Sequence, residues 1–168
     1  MSGIGPISET PPAPDIVIGN DPRTITTTST LGANYAILNA FSVTRAVTVS
    51  TAYFFVQTQS GNIDFGIYDG DGNRLASTGS TACPVAGKAS IALTAPVTLV
   101  PGQVYYLAYA VNNAVASIQK ANLMTMNLPP MLGGTRYPMV QAATSFPLPA
   151  AIAMPGTATA HYVGLSFG

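Results

Sequence analysis

Short runs of alternating apolar and polar residues, separated by turn-forming residues, dominate positions 24–120 of the chain. Val47 and Val49 alternate with hydroxyl-bearing neighbours, which is typical of a strand with one apolar and one polar face. Residues 53–56 are then apolar at every position, which indicates a central strand or one covered on both faces. The spacing of such runs predicts about eight strands.

The clearest local prediction is a β-hairpin around residues 69–73. The sequence there is Asp-Gly-Asp-Gly-Asn, and Gly, Asn and Asp tolerate the positive φ angles of tight turns. The strand before it places apolar side chains on one side and a mixed set on the other: Ile63, Phe65 and Ile67 against Asp64, Gly66 and Tyr68. The return strand should begin at Arg74.

Further strands are predicted towards the C-terminus. Residues 89–94 alternate, and the run at 97–100 leads into Pro101-Gly102, which predicts a type II turn. Residues 103–111 are apolar on both faces, so they form a central strand or face the core on one side and a partner subunit on the other. A last strand is expected at roughly residues 158–167.

The N-terminal residues 1–23 differ in composition, with five prolines and a single short apolar run. We expect them to form an extended arm that becomes ordered against a neighbouring protein. Strong helix formers are scarce in the whole chain, which has one Glu and two Lys. The expected fold is therefore all-β, an antiparallel two-sheet β-sandwich of jelly-roll type over residues 24–168, with the extended Pro-rich arm in front.

Charge is scarce. Only 7% of the 168 residues are Asp, Glu, Lys or Arg, against about 25% in ordinary soluble domains, and the formal net charge is zero. The cations are scattered singly, so we expect no nucleic-acid partner. We expect no signal peptide, because the N-terminus has neither a basic region nor an apolar region. We also expect no membrane insertion, because prolines interrupt the long uncharged stretches. A neutral surface opposes self-association weakly, so an assembly is expected.

Four segments of the chain resemble a known family. They are residues 63–79, residues 93–110, residues 146–152 and residues 162–167. They resemble the jelly-roll-type β-sandwich domains of bacteriophage tail fibres and minor tail proteins, over roughly residues 35–168. The resemblance implies a virion component that is often trimeric. The chain has no coiled coil, shaft repeat or enzymatic module, which leaves its location on the particle open.

Residues with catalytic potential were weighed against structural roles. His161, the single histidine, lies on the apolar side of the predicted last strand, which favours a core or rim residue. Cys83 has no basic neighbour closer than Lys88, so an inert or half-buried thiol is expected. Asp64 could form a glycosidase-like pair with an Asp of the turn, although a structural role is favoured.

The turn at residues 69–73 partly imitates a calcium loop. Asp69, Asp71 and Asn73 occupy the first three ligand positions, but Arg74 stands where the loop needs Gly and Ser80 where it needs Glu. We therefore expect a turn without metal.

Two further groups of residues were considered for ligand binding. A glycine-rich stretch at residues 132–135 has no following Lys, which argues against a phosphate loop. Four tyrosines are either a sugar-stacking platform or ordinary core and interface residues: Tyr105, Tyr106, Tyr109 and Tyr137.

Taken together, these observations predict a non-enzymatic bacteriophage virion structural protein with no catalytic, cofactor or metal residues. We expect a small tail-tip, minor tail or fibre-type subunit involved in assembly and host-surface contact, made in the host cytoplasm without a signal peptide. Its partners would be further copies of itself, with a trimer favoured, other virion proteins through residues 1–23, and a host cell-surface glycan. The alternatives are a capsid decoration or cement protein that staples capsomers, and a carbohydrate-binding module.

Overall fold

The computed structural model of the chain describes residues 18–19, 25–30, 33–121, 140–143, 146–153 and 166–167. This part of the chain contains twelve strands and no helix. The strands are β1 (Ile18–Gly19), β2 (Ile25–Thr30), β3 (Tyr35–Phe41), β4 (Val47–Thr58), β5 (Asn62–Asp69), β6 (Arg74–Ser77), β7 (Thr81–Ala82), β8 (Gly87–Leu99), β9 (Tyr105–Val111), β10 (Ser117–Ala121), β11 (Val140–Ala143) and β12 (Ser166–Phe167).

The strands form two antiparallel sheets. In the first sheet, β4 is central: β8 lies along one side of it, and β10 and β12 share the other side. Strand β2 then pairs with β10, and β1 pairs with β12. The second sheet has the order β11-β3-β9-β5-β6, with β7 also paired to β5. The prediction of an all-β, two-sheet β-sandwich is confirmed.

The main core lies between the two sheets and follows the period-2 alternation of the strands. On β4 the inward side chains include Val49, Phe54 and Val56, all nearly inaccessible to solvent. Phe65 lies at the centre of an aromatic stack. Its ring centroid is 4.3 Å from that of Phe54 and 5.0 Å from that of Tyr109. Contacts at these distances stabilise a core beyond simple burial.

The predicted hairpin and type II turn are present. Strands β5 and β6 pair across the turn at residues 69–73, where Gly72 has a φ of 89°. At the β8–β9 connection, Gly102 has a φ of 79°, the value that a type II turn requires at its second central residue. Ile63, Phe65 and Ile67 face the main core, as their alternation predicted.

Several expectations about the strands were wrong. The described residues hold twelve strands rather than about eight, partly because three of them are two-residue pairings that leave no periodic signal. The two runs at residues 89–94 and 97–100 belong to the single strand β8, whose pairing with β4 jumps from Val97 to Ala92. Pro96 lies in that irregularity, where the lack of an N–H group does least harm to the ladder.

Parts of both ends of the chain lie outside the described residues. Of the predicted last strand only β12 is described, and His161 lies in the remainder. Of the predicted arm, the strand β1 is described, and it pairs with β12.

The second sheet is covered on its other face by residues 146–153, which we call the clasp. Leu148 and Ile152 of the clasp are buried, and Phe146 packs beside them. They contact the side chains of the second sheet that point away from the main core: Ala36, Leu38, Tyr68, Ala108 and Ala110. Strand β9 is therefore apolar on both faces because it lies between the main core and the clasp.

No helix among the described residues is long and apolar enough to span a membrane.

Candidate functional site

Asp64 is the most enclosed charged residue of the described chain, with 0% of its surface exposed. Its Oδ2 accepts a hydrogen bond from the backbone N–H of Leu148 at 3.0 Å. Its Oδ1 accepts one from the hydroxyl of Thr78 at 3.1 Å. The carboxylate therefore joins strand β5 to the clasp and to the segment that follows β6.

Burial raises the pKa of Asp64 above its ordinary value of 3.8. The hydrogen bonds from Leu148 and Thr78 and the positive charge of Arg74 oppose that rise but do not cancel it. Both carboxylate oxygens are thus engaged with groups of the chain itself. The structure gives Asp64 a tethering role, and it does not present a carboxylate to a substrate.

The clasp needs such a tether because of its sequence. Pro147 and Pro149 have no N–H group, so the N–H of Leu148 between them has to find a partner without the help of a regular ladder. Three consecutive clasp carbonyls accept hydrogen bonds in turn. Arg74 donates through its guanidinium to Leu148 O and through its backbone N–H to Ala150 O, and the Tyr68 hydroxyl donates to Pro149 O at 2.7 Å.

Glycine at position 66 leaves room for the close approach of the clasp. A Cβ atom there would lie 3.0 Å from Cδ1 of Leu148 and 3.1 Å from the carbonyl oxygen of Ala76. Asp64, Gly66 and Tyr68 share the face of β5 that the clasp covers, so the side of the strand with the mixed set of residues is also buried.

The carboxylate of Asp69 holds the turn that follows β5. Its Oδ1 accepts hydrogen bonds from the backbone N–H groups of Asp71 at 3.0 Å and Asn73 at 2.8 Å. Slight burial raises the pKa of Asp69, but the hydrogen bonds from Asn73, Asp71 and Gly72 outweigh it and lower the pKa overall. The carboxylate oxygens of Asp69, the first ligand position of the calcium-like pattern, are thus bound to amide groups of the turn. In the part of the chain that the structure describes, no three His, Cys, Asp or Glu side chains form a metal-binding group.

Cys83 is buried, as the inert-thiol interpretation expected, and its backbone N–H donates to the carbonyl of Gly61 at 2.9 Å. Burial raises the pKa of the Tyr109 hydroxyl, and the neighbouring Cys83 adds to the rise. Both residues belong to the main core. They form part of its packing at the end of the sandwich.

The tyrosine platform considered in the sequence is wrong for Tyr105 and Tyr109, which are both buried in the main core. The hydroxyl of Tyr105 accepts a hydrogen bond from the N–H of Val100 at 3.0 Å. Tyr106 is half-buried against the clasp. Tyr137 and the glycine-rich stretch at 132–135 lie outside the described residues.

A row of three side chains, two of them aromatic, lies on the outer face of the first sheet. Tyr53, Phe55 and Gln57 alternate with the core residues of β4, so they point away from the main core and form what we call the outer row. Tyr53 and Phe55 are half-buried, and Gln57 is exposed. The Nε2 atom of Gln119 on β10 donates to Oε1 of Gln57 at 3.1 Å. Sequence reasoning missed this row, although the apolar run at 53–56 was its signal.

No curated protein is significantly similar to this chain. A family model described as a domain of unknown function, DUF4082, matches residues 23–132. That range contains β2 to β10, including Asp64 and the outer row, and it ends before the clasp. Because the match covers more than half of the chain, the protein belongs to the DUF4082 family.

Proposed function

We propose that the chain is a non-enzymatic structural subunit of a bacteriophage virion. It would be a small tail-tip, minor tail or fibre-type protein that contributes to particle assembly and to contact with the host surface. The proposal rests on the sequence resemblance and on the structural roles of the side chains that were considered for hydrolysis or metal binding.

The observation that carries the proposal is that segments far apart in sequence, each with the phage-type resemblance, form one packed unit. Residues 63–79 make the β5–β6 hairpin, residues 93–110 contain the end of β8 and most of β9, and residues 146–152 make most of the clasp. Strand β5 pairs with β9, and the clasp is hydrogen-bonded to β5 and β6. Such a unit supports an interpretation of the resemblance as a shared structural module.

The use of the carboxylates also supports a role in contact. Asp64 binds the clasp, and Asp69 binds the amides of its own turn. Asp64 and Asp69, two of the side chains considered for hydrolysis or metal binding, thus hold segments of the chain in place. A protein whose carboxylates hold its own backbone is suited to present a rigid surface to partners.

Location on the particle tests the proposal. Phage particles are purified from a culture in which the gene carries a C-terminal epitope tag, and the tag is located by immunogold labelling and cryo-electron microscopy. We expect tagged protein in the particle fraction and label at the tail. Label spread over the shell would favour the decoration alternative. Tagged protein present in the lysate but absent from purified particles would overturn the proposal.

The predicted anchor can be tested in the same system by deletion of residues 1–17. This deletion keeps β1, which pairs with β12, and therefore leaves the described sheets intact. We expect the truncated protein to fold with an unchanged β-type circular dichroism spectrum and to be lost from particles. Normal incorporation of the truncated protein would show that these residues are not the anchor.

A further inference from the structure

We infer that the outer row on β4 is a binding site for a neutral oligosaccharide chain. The site consists of Tyr53, Phe55 and Gln57, together with Gln119 on one side and Ser90 on the other. It lies on the face of the first sheet that points away from both the main core and the clasp. This inference rests on the proposed function for its setting, a host surface, and names the ligand class and the residues.

The geometry of the row comes from the strand itself. Residues two apart on a strand share a face and lie about 6.6–6.8 Å apart along it. Tyr53 and Phe55 therefore follow one another along β4, and Gln57 comes next, where the pairing of β4 with β10 shifts register. In the register with β8, Ser90 lies opposite Tyr53 and Lys88 lies opposite Phe55. The two rings are thus flanked by polar side chains of the neighbouring strands, on the same face of the sheet.

The chemistry of the row matches an uncharged sugar chain. The face of an aromatic ring attracts C–H groups of the apolar face of a pyranose, because the ring carries negative charge density above its plane. The amides of Gln57 and Gln119 and the hydroxyl of Ser90 supply both donors and acceptors for sugar hydroxyls. The hydrogen bond between the two amides fixes their positions before a ligand arrives.

The charges around the row favour a neutral ligand over a charged one. Strands β4 and β8 contain no Asp or Glu, so nothing on them would attract a cationic ligand. Lys88 is the one cation on these strands, whereas recognition of an anionic chain usually relies on a cluster of Arg and Lys. A protein partner is also disfavoured, because a stable interface needs about 800 Å² on each side with an apolar centre. Two half-buried rings bordered by amides and hydroxyls do not supply such a centre.

The test uses the isolated full-length chain and a glycan array that carries both neutral and anionic oligosaccharides. Isothermal titration calorimetry then measures the affinity for the neutral hexasaccharide that binds best. Tyr53→Ala and Phe55→Ala should each weaken binding about tenfold, since each removes one stacking surface. Tyr53→Phe keeps the ring and should bind within about twofold of wild type. Tyr35→Ala is the matched control, because Tyr35 is 40% exposed but belongs to β3 in the other sheet.

The inference is overturned if the folded wild-type protein binds no neutral glycan, or if it binds anionic glycans alone. It is also overturned if Tyr53→Ala and Phe55→Ala bind as tightly as wild type. Should these two variants fail to fold, Gln57→Ala decides, because Gln57 is exposed and outside the core. A weaker affinity in Gln57→Ala supports the site, and an unchanged affinity overturns it. A failure to bind glycans would not change the outcome of the particle experiment. The glycan-binding site and the virion function can therefore be rejected independently.

Discussion

At the scale of single residues, the described chain uses its few charged groups to hold segments that cannot form a regular ladder. Leu148 lies between two prolines, and its N–H is bound by the carboxylate of Asp64 rather than by a backbone carbonyl. A carboxylate is a strong acceptor, and a buried one needs its hydrogen bonds to offset the cost of leaving water. The buried carboxylate of Asp64 and the clasp therefore depend on each other.

Replacement of Asp64 tests this dependence. Asp64→Ala leaves the N–H of Leu148 and the hydroxyl of Thr78 without their acceptor, so we expect a loss of about 2–4 kcal/mol in the free energy of unfolding. Asp64→Asn keeps a polar group of the same shape and should cost far less. Asp71→Ala, in the exposed turn, is the control and should change stability by less than about 0.5 kcal/mol. Urea denaturation measures all three, and an equal effect of both alanine variants would contradict the tether.

The raised pKa of Asp64 predicts an unusual pH dependence of stability. Because its pKa is higher in the folded chain than the ordinary 3.8, the folded state holds the proton more tightly. The free energy of unfolding should therefore rise as the pH falls from about 7 towards 3.8. Below 3.8 the lowered pKa of Asp69 acts in the opposite direction, and stability should fall again.

Urea titrations at a series of pH values, on wild type and on Asp64→Asn, measure this dependence. The variant has no ionisable group at position 64, so its stability should lack the rise between about pH 7 and pH 4. A wild-type protein that loses stability over the whole of that interval would show that the burial of Asp64 is not the dominant influence.

At the scale of elements, the clasp gives the second sheet its second buried face. It crosses that sheet and ends in an isolated bridge between Ala151 and Asn73, next to the hairpin turn. The N–H of Ile152 donates to the carbonyl of Gly72 at 2.9 Å. An element with few backbone ladder bonds has to be held by packing and by side-chain hydrogen bonds.

Leu148 is the central packing residue of the clasp and has 1% of its surface exposed. Leu148→Ala should therefore lower the free energy of unfolding by about 2–5 kcal/mol, through lost burial and the cavity that remains. Leu75→Ala is the matched control, since Leu75 is 41% exposed on β6. It should cost less than about 1 kcal/mol. Thermal unfolding followed by circular dichroism compares them, and similar losses in both variants would argue against a packed clasp.

The sequence predicted those elements whose causes are local. The hairpin follows from alternation up to Tyr68 and from the Asp-Gly-Asp-Gly-Asn turn, so its evidence lies within a few residues. The clasp was not predicted because Leu148 and Asp64 are 84 positions apart in the sequence, and no local pattern near either residue indicates their contact. The tyrosines of β9 were ambiguous for a related reason. In a run that is apolar on both faces, period-2 spacing does not say which ring faces a core and which faces a ligand.

At the scale of the whole molecule, the chain carries very little charge. The chain has six cations and six anions in 168 residues, and in the described part Asp64, Asp69 and Arg74 are bound to backbone groups. Little charge is left to keep copies apart or to steer charged partners. Contacts between copies should therefore rely on apolar and hydroxyl-bearing faces, which salt does not screen.

This argument predicts a homo-oligomer whose state does not change between about 0.05 M and about 1 M NaCl, and the phage-type resemblance favours a trimer. An interface built on ion pairs would dissociate over the same range, because the Debye length shrinks from about 14 Å to about 3 Å. Sedimentation velocity at micromolar concentrations of the full-length chain measures the mass as a multiple of 17.2 kDa.

A monomer at every salt concentration would contradict the expected assembly and remove one support of the virion proposal. An oligomer that falls apart in high salt would keep the assembly but assign it to charged side chains.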